Sequence, residues 1–165
     1  MTTNDDVKLI KEMMKRNDFY YKEEEKRGWS NINGALNGGE QIWCIHYYGW
    51  TPIGFTAYKM DTTRKTKKKP YEDPFVWVLY LLVDNPYQKQ GFGTQIMNGY
   101  KDMTANNNQY CLVIDLDITK HTFRHLVRYY TAMGFEFAHN GMPDEYGQII
   151  LHWNYKSYKR KEELY

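Results

Sequence analysis

A glycine-containing loop carries the residues with the clearest chemical meaning. It lies between an apolar run and a helical pattern, and it consists of Gln88, Lys89, Gln90, Gly91, Phe92, Gly93 and Thr94. Glycines let backbone amides approach a ligand closely, and the start of a helix favours negative charge. The loop therefore predicts a diphosphate site. The alternative is a tight strand-to-helix turn that uses its glycines for shape alone.

Two other phosphate-binding motifs do not fit. The sequence contains no G-x-x-x-x-G-K-[S/T], the loop that cradles nucleoside triphosphates. The pair Gly91 and Gly93 is not followed by a third glycine three residues later, as a dinucleotide fingerprint requires.

Other reactive side chains form no recognisable site. His121 and His125 are four residues apart, but no Glu stands between them in the zinc-protease pattern and no third ligand is evident. We expect a solvated helix face there and no metal. Cys44 and Cys111 lie in apolar stretches and are predicted to be buried small hydrophobes. No Cys–His or Ser–His–Asp pattern calls for a covalent intermediate.

The elements that precede the loop begin with two helices. The first is predicted over 5–16, capped by Asn4 or Asp5, with an apolar face of Val7, Ile10, Met13 and Met14. A poorer helix covers 18–28, and an Asn- and Gly-rich loop follows over 31–39. Ile42–Tyr47 and Ile53–Met60 are predicted strands.

The elements around the loop are better defined. Phe75–Val83 is continuously apolar, which is typical of a central strand covered on both faces. After the loop we predict a helix with the stripe Ile96, Met97, Tyr100 and Met103, and then a strand, Tyr110–Leu116. A second helix carries the stripe Phe123, Leu126, Val127, Tyr130 and Met133, with Gly134 after its end, and two short strands follow near 135–139 and 148–153. This order predicts an α+β (mixed α/β) three-layer domain with a crossover between two parallel strands.

Composition limits the class of protein. The 165 residues fit one domain, 1–165, and the formal charge of +2 does not favour a nucleic-acid binder. No signal peptide or membrane span is evident, so we expect an intracellular protein without membrane partners. The basic run 64–69 is predicted to be a mobile, solvated loop, with docking to an acidic partner or nucleic acid as the alternative, and 156–165 is a short C-terminal tail.

The stretch Leu81–Thr94 resembles the acetyl-CoA motif of the GNAT superfamily of N-acetyltransferases, [Q/R]-x-x-G-x-[G/A] after a strand. The downstream Tyr-x-x-x-Gly-Phe, here Tyr130–Phe135, also falls where that family places it. The resemblance covers 75–154 well, 40–60 loosely and 1–39 weakly. Residues 91–102 are similar to coactivator histone acetyltransferases, 86–88 to type B histone acetyltransferases, and 129–131 to spermidine/spermine acetyltransferases.

The resemblance implies a fold and a donor site. The fold is a central mixed, largely antiparallel sheet with a parallel splayed strand pair, and acetyl-CoA is the co-substrate. Backbone groups of Leu81, Leu82 and Val83 are expected to pair with the pantetheine arm, and amides of Gln88–Thr94 to hold the diphosphate.

It also implies an acid and a base. Tyr130 matches the family's general-acid tyrosine, although its place in an apolar stripe equally suits a core aromatic; Tyr129 is the reserve candidate. Trp77 stands where coactivator-type enzymes place a catalytic Glu. Asp117, at the end of the following strand, is the candidate base, with Asp115 or ordered water as alternatives.

The acceptor is expected to be cationic. In the family fold, the segments that flank the acceptor groove correspond here to the acidic runs 23–25 and 144–145. A lysine side chain of a basic, histone-like protein is the first hypothesis. A polyamine or other small amine is the second, and a non-catalytic acyl-CoA-binding module is the third.

Overall fold

The computed structural model describes residues 2–61, 74–107, 109 and 111–154. Its helices are α1 (Asn4–Arg16), α2 (Tyr21–Lys26), α3 (Ser30–Leu36), α4 (Phe92–Asn106) and α5 (Phe123–Ala132). Its strands are β1 (Ile42–Tyr48), β2 (Thr51–Asp61), β3 (Phe75–Val83), β4 (Cys111–Asp117), β5 (Glu136–Phe137) and β6 (Gln148–Asn154). The basic run 64–69, Tyr110 and the tail 156–165 lie outside the described residues.

Helix α1 has the apolar face that its sequence predicts and a cap at its first turn. The predicted apolar face of Val7, Ile10, Met13 and Met14 is buried. The cap differs from the prediction, because Thr3 rather than Asn4 or Asp5 precedes the first turn. The Thr3 hydroxyl accepts from the Asp6 amide at 3.2 Å, and the Asp6 carboxylate accepts from the Thr3 amide at 2.9 Å. This reciprocal pair satisfies amides that the helix itself leaves without partners.

The region after α1 departs from the prediction. The predicted loop 31–39 is largely helical, since α3 occupies Ser30–Leu36, and the second helix is only six residues long. Ile32 explains α3, because its side chain is fully buried in the core beside α1. Burial of one apolar residue outweighs the poor helix propensity of Asn and Gly. Tyr20 and Trp29, both in left-handed backbone, precede α2 and α3.

The strands form one six-stranded sheet in the order β1-β2-β3-β4-β6-β5. Strands β3 and β4 are parallel, with Val76–Val78 in register with Leu112–Ile114, whereas β1–β2, β4–β6 and β5–β6 are antiparallel. No residue of β3 is fully exposed, which confirms the prediction of a covered central strand. The predicted mixed α/β class and the parallel pair are confirmed.

The chain divides into two compact units. Unit 1 comprises residues 1–59 and 79–96, and its core joins α1 and α3 to β1, β2 and Leu82 of β3. Unit 2 comprises residues 60–78 and 97–165, and its core includes Phe75, Cys111 and Val113. Cys111 is buried as predicted, and Cys44 is half-buried.

Gly54 permits the approach of β2 to the end of β3. A Cβ atom at this position would lie 2.2 Å from the carbonyl oxygen of Leu82, a distance that no side chain can occupy. Two residues after Leu82, the Asp84 amide donates to the Ile53 carbonyl at 2.7 Å. The end of β3, just before the glycine loop, is therefore held against β2.

Among the described helices, none is long and apolar enough to cross a membrane.

Candidate functional site

The predicted diphosphate loop lies between β3 and α4. Asp84 ends the strand, Asn85–Tyr87 form a single 3₁₀ turn, and α4 begins at Phe92. Gln88 to Gly91 are exposed, while Phe92 to Thr94 are partly buried. The structure thus presents the predicted residues on a surface that a ligand can reach.

The backbone at the start of α4 suits an anion. The Gln95 amide makes the first helical bond, to the Gly91 carbonyl at 3.1 Å. The amides of Phe92 and Gly93 precede that bond, so they have no carbonyl within the helix to bind and point out of its N-terminus. The first turn contains no acidic residue, and α4 is 15 residues long, so its dipole favours a negatively charged group there.

Two left-handed residues shape the loop. Lys89 has φ 63° and Gly91 has φ 84°. A Cβ atom at Gly91 would meet no atom within 4 Å, so the requirement for glycine at that position is conformational rather than steric. The glycine therefore contributes a backbone turn, and it leaves open space above the amides.

The glutamine side chains of the loop bind the loop's own backbone. Gln88 Nε2 donates to the Val83 carbonyl at 2.8 Å, and Gln90 Nε2 donates to the Pro86 carbonyl at 3.3 Å. The ring of Phe92 lies 5.4 Å from that of Tyr48 at the end of β1. These side-chain contacts, together with the bond from the Gln88 amide to the Asn85 carbonyl at 3.3 Å, hold the loop in shape.

Asp84 anchors the start of the loop, a role that the sequence analysis missed. Arg16 donates to its carboxylate in a bidentate pair, Nε to Oδ1 at 3.0 Å and Nη2 to Oδ2 at 2.7 Å. Asn17 Nδ2 donates to Oδ1 at 2.7 Å, and the Asn17 side-chain oxygen accepts from the Asn85 amide at 2.9 Å. The end of α1 is thereby bonded to the residues that open the loop. An acidic residue that directly follows an apolar strand is the sequence signal that could have indicated this anchor.

The charge state of Asp84 follows from these partners. The residue is only 4% exposed, and burial alone raises the pKa of a carboxyl group. Hydrogen bonds from Arg16 and Asn17 more than offset burial and hold the pKa of Asp84 below its usual value. The same pair raises the pKa of Arg16. Asp84 is therefore a structural anion at neutral pH.

Tyr130 lies in the last turn of α5 and is 6% exposed. Its ring makes edge contacts with Tyr129 at 5.1 Å and with Phe135 at 5.5 Å. Burial, with a smaller contribution from Tyr129, raises the pKa of Tyr130 well above its ordinary value. The phenol is therefore protonated at neutral pH and is a weaker acid than an exposed tyrosine.

Lys101 positions the turn that follows Tyr130. Its ammonium, on α4, donates to the Met133 carbonyl at the end of α5 and lies 5.5 Å from the Trp153 ring centroid. Burial lowers the pKa of Lys101. Gly134 has φ 92° and confirms the predicted helix end. A cation at a helix C-terminus stabilises the last carbonyls, and the sequence analysis did not identify this one.

Asp117 ends β4 and takes part in a tight turn. Its Oδ1 accepts from the Thr119 amide at 2.9 Å and from the Thr119 hydroxyl at 2.7 Å. These bonds lower the pKa of Asp117, which keeps the carboxylate charged but makes it a weaker base. Asp115 is half-buried two residues earlier on the same strand face, as predicted.

The acidic runs 23–25 and 144–145 are not exposed throughout. Glu24 is 1% exposed and accepts from the Tyr80 hydroxyl at 2.5 Å, so it belongs to the interior of unit 1. Its neighbours Glu23 and Glu25 are exposed, as are Asp144 and Glu145. The expectation that 23–25 is uniformly a surface cluster is wrong for Glu24, because its position on α2 faces β3.

His121 and His125 are exposed, as predicted, but only His125 lies on a helix, because α5 begins at Phe123 and His121 precedes it. Within the described residues, no group of three or more His, Cys, Asp or Glu side chains could hold a metal ion.

Comparison with known proteins identifies the family. Residues 9–135 match the model of the acetyltransferase (GNAT) family. No curated protein matches the sequence.

Among solved structures, a putative GNAT acetyltransferase from Desulfovibrio desulfuricans has a TM-score of 0.72 at 13% identity, covering 93% of this chain and 95% of that one. Arabidopsis thaliana Naa50, in complex with the bisubstrate analogue CoA-Ac-MVNAL, has a TM-score of 0.59 at 18% identity, with coverage of 93% and 95%. An aminoglycoside 6'-N-acetyltransferase complexed with coenzyme A has a TM-score of 0.61 at 14% identity, with 92% of each chain covered.

The Asp84 anchor predicts that the free energy of unfolding decreases at acidic pH. A carboxyl whose pKa is lower in the folded state contributes stability above its unfolded pKa, near 3.8, and loses it as the pH falls through the folded value. We expect Asp84→Asn to lower the free energy of unfolding by about 2 kcal/mol at pH 7, from the loss of charge-assisted hydrogen bonds. The difference from wild type should shrink below about pH 4.

The measurement is urea unfolding from pH 7 to pH 2.5. The control is Asp102→Asn, which removes an exposed carboxylate from α4. Equal losses of stability in the two variants, or a difference that does not narrow as the pH falls below about 4, would contradict the role of Asp84.

Proposed function

Because the chain belongs to the GNAT family of acetyltransferases and uses acetyl-CoA as co-substrate, we propose that it acetylates a primary amine of a cationic acceptor directly. A lysine side chain of a basic, histone-like protein is the first candidate. The observation that carries the proposal is the exposed loop Gln88–Gly91 joined to the N-terminus of α4.

The donor is held mainly by backbone amides, and Lys89 is the one charged residue of the loop Gln88–Thr94. The amides from Gln88 to Thr94 bind the diphosphate, with Gly91 supplying the left-handed turn. Backbone groups of Leu81, Leu82 and Val83 pair with the pantetheine arm as an added strand does. The anchor at Asp84 supports both roles, since it fixes the junction between strand and loop.

Tyr130 acts as the general acid. The acceptor nitrogen forms a bond to the acetyl carbon, the carbon–sulfur bond breaks, and the Tyr130 hydroxyl gives its proton to the departing sulfur. The nitrogen releases a proton to solvent as the amide forms, and solvent returns one to the Tyr130 phenolate, so the products are an acetamide and the free thiol of CoA. A thiol with an ordinary pKa near 8.5 is mostly protonated at neutral pH, so a proton delivered as the carbon–sulfur bond breaks avoids a free thiolate and lowers the barrier.

Asp117 takes the proton of the acceptor amine, directly or through water. An alkyl amine has a pKa near 10.4 and must be neutral to attack. The carboxylate stays ionised because of its bonds from Thr119, which supports electrostatic attraction of the ammonium form more strongly than direct proton abstraction. Asp115 is the alternative carboxylate.

Charge supports a cationic acceptor. From residue 129 to residue 155 the sequence contains Glu136, Asp144 and Glu145 but no Lys or Arg. All three acidic residues are exposed and follow Tyr130 in the chain. An acidic surface raises the local concentration of cations and speeds their association. A polyamine fits the same charge and is the second candidate.

Donor binding is tested by melting temperature. Millimolar CoA or acetyl-CoA should raise the melting temperature of the wild type, because a ligand that binds only the folded state stabilises it. Gly91→Val should abolish the shift, since a β-branched residue resists φ 84°. Gly99→Ala on the exposed side of α4 is the control and should retain the shift. An unshifted wild type contradicts the donor site.

Tyr130→Phe tests the general acid. The variant should keep its CoA-induced melting shift and lose about 100-fold in kcat, because only the hydroxyl proton is removed. The assay is release of free CoA under conditions where chemistry limits the rate. Tyr129→Phe is measured in parallel. Unchanged turnover in Tyr130→Phe would make Tyr130 a core residue, and a larger loss in Tyr129→Phe would move the acid role there.

Asp117→Asn tests the base. Asparagine retains an oxygen that can accept both bonds from Thr119, so the turn should survive the change. If the carboxylate assists deprotonation, the rate of the variant should require a higher pH than that of the wild type. The profile of kcat/KM against pH is compared for wild type, Asp117→Asn and Asp115→Asn. A profile that moves only in Asp115→Asn would reassign the role.

A further inference from the structure

Two backbone hydrogen bonds close the end of α5. The Phe135 amide donates to the Tyr130 carbonyl at 3.1 Å, and the Gly134 amide donates to the Thr131 carbonyl at 3.0 Å. With Gly134 in left-handed backbone at φ 92°, this pair of bonds is a Schellman motif. The backbone of Tyr130, the proposed general acid, is therefore part of the helix end.

The side chain of Tyr130 belongs to the same motif. Its ring contacts the Phe135 ring, with centroids 5.5 Å apart and planes at 71°. A Schellman motif often brings these two positions into apolar contact. Both residues are buried and both lie in unit 2. The position of the Tyr130 ring therefore depends on the conformation of the residues that end the helix.

Lys101 of α4 contacts this helix end. Its ammonium donates to the carbonyl of Met133, the residue that caps α5. The ammonium lies 5.5 Å from the Trp153 ring centroid and 5.9 Å from the Phe135 ring centroid. A Cβ atom at Gly134 would lie 3.7 Å from the Trp153 ring. Lys101 and the two rings thus pack around the residues that close the helix.

The ammonium of Lys101 is partly removed from water in this arrangement. The side chain is half-buried, and none of the carboxylates that the structure describes forms an ion pair with it. Burial of a charge costs free energy unless other contacts replace its water. The Met133 carbonyl, the two ring faces and the negative end of the α5 dipole supply those contacts. All of them lie at the helix end, so the charge of Lys101 acts there.

We propose that Lys101 is a positioning residue for acetyl transfer, because it fixes the helix end that carries Tyr130. The inference rests on the proposed function, in which the Tyr130 hydroxyl protonates the departing sulfur. Without the bond from Lys101 to Met133, the last turn of α5 shifts and the hydroxyl is displaced. A displacement of about 1 Å at a reacting group costs up to about 100-fold in rate.

Lys101→Met tests this role, because it removes the ammonium and keeps an unbranched side chain. Acetyl-CoA is supplied with an end-blocked lysine peptide and, separately, with spermidine, and release of free CoA is followed where chemistry limits the rate. We expect kcat to fall about tenfold, while the KM for acetyl-CoA and the CoA-induced melting shift stay as in the wild type. Lys101→Arg, which keeps a cationic donor, should restore most of the lost turnover.

A double-mutant cycle with Tyr130→Phe distinguishes positioning from a general effect on stability. If Lys101 acts through the Tyr130 hydroxyl, its replacement has little left to affect once that hydroxyl is gone. Lys101→Met should therefore change kcat by less than about twofold in the Tyr130→Phe background.

The matched control is Arg128→Met. Arg128 is an exposed cation on α5, two residues before Tyr130, so its replacement removes a charge from the same helix without touching the cap. It should leave kcat unchanged. Circular dichroism melting checks that each variant is folded. If Lys101→Met is not folded, Lys101→Gln, which keeps a neutral donor, replaces it in the same cycle.

The outcomes separate the two claims. An unchanged kcat in Lys101→Met, an equal loss in both backgrounds, or a lost CoA-induced melting shift overturns the role of Lys101 while the proposed function stands. Unchanged turnover in Tyr130→Phe overturns the general acid and the positioning role with it. Acetylation of neither amine by the wild type, with CoA still bound, overturns the proposed function itself.

Discussion

The hydrogen bonds to the Asp84 carboxylate are the interaction on which the proposed donor site depends, because they join the end of α1 to the start of the glycine loop. The carboxylate receives two hydrogen bonds from Arg16 and one from Asn17, and the Asn17 side chain in turn accepts from the Asn85 amide. A buried charge is tolerated only when hydrogen bonds and an opposite charge replace its water. Because these partners come from the end of α1, folding of the N-terminal helix and the position of the glycine loop are coupled.

That coupling supports the proposal that the loop binds a diphosphate through its backbone. Its donors are amides, and amides bind well only if the backbone is already in place when the ligand arrives. Gln88 and Gln90 bond back to the Val83 and Pro86 carbonyls, and Gly91 makes the turn that no other residue adopts without strain. The proposed donor site therefore depends on the backbone conformation of the loop. That conformation requires particular residues, which is why the motif can be recognised in the sequence.

The acceptor side depends on which acidic residues reach solvent. Glu24 is buried against Tyr80, and Asp144 uses its carboxylate to close the β5–β6 loop, although both belong to acidic runs in the sequence. Glu136 and Glu145 are exposed.

The sequence by itself determined the helix and strand pattern from Phe75 onward, the covered central strand and the loop with its glycines, because local periodicity and backbone requirements are written in neighbouring residues. Only the tertiary structure decided that Ser30–Leu36 is helical, that Asp84 pairs with Arg16, that Lys101 binds the end of α5 and that Glu24 is internal. Arg16 and Asp84 are 68 positions apart, and Glu24 and Tyr80 are 56 apart. Contacts at such separations depend on how the chain packs, and no local pattern in the sequence specifies them.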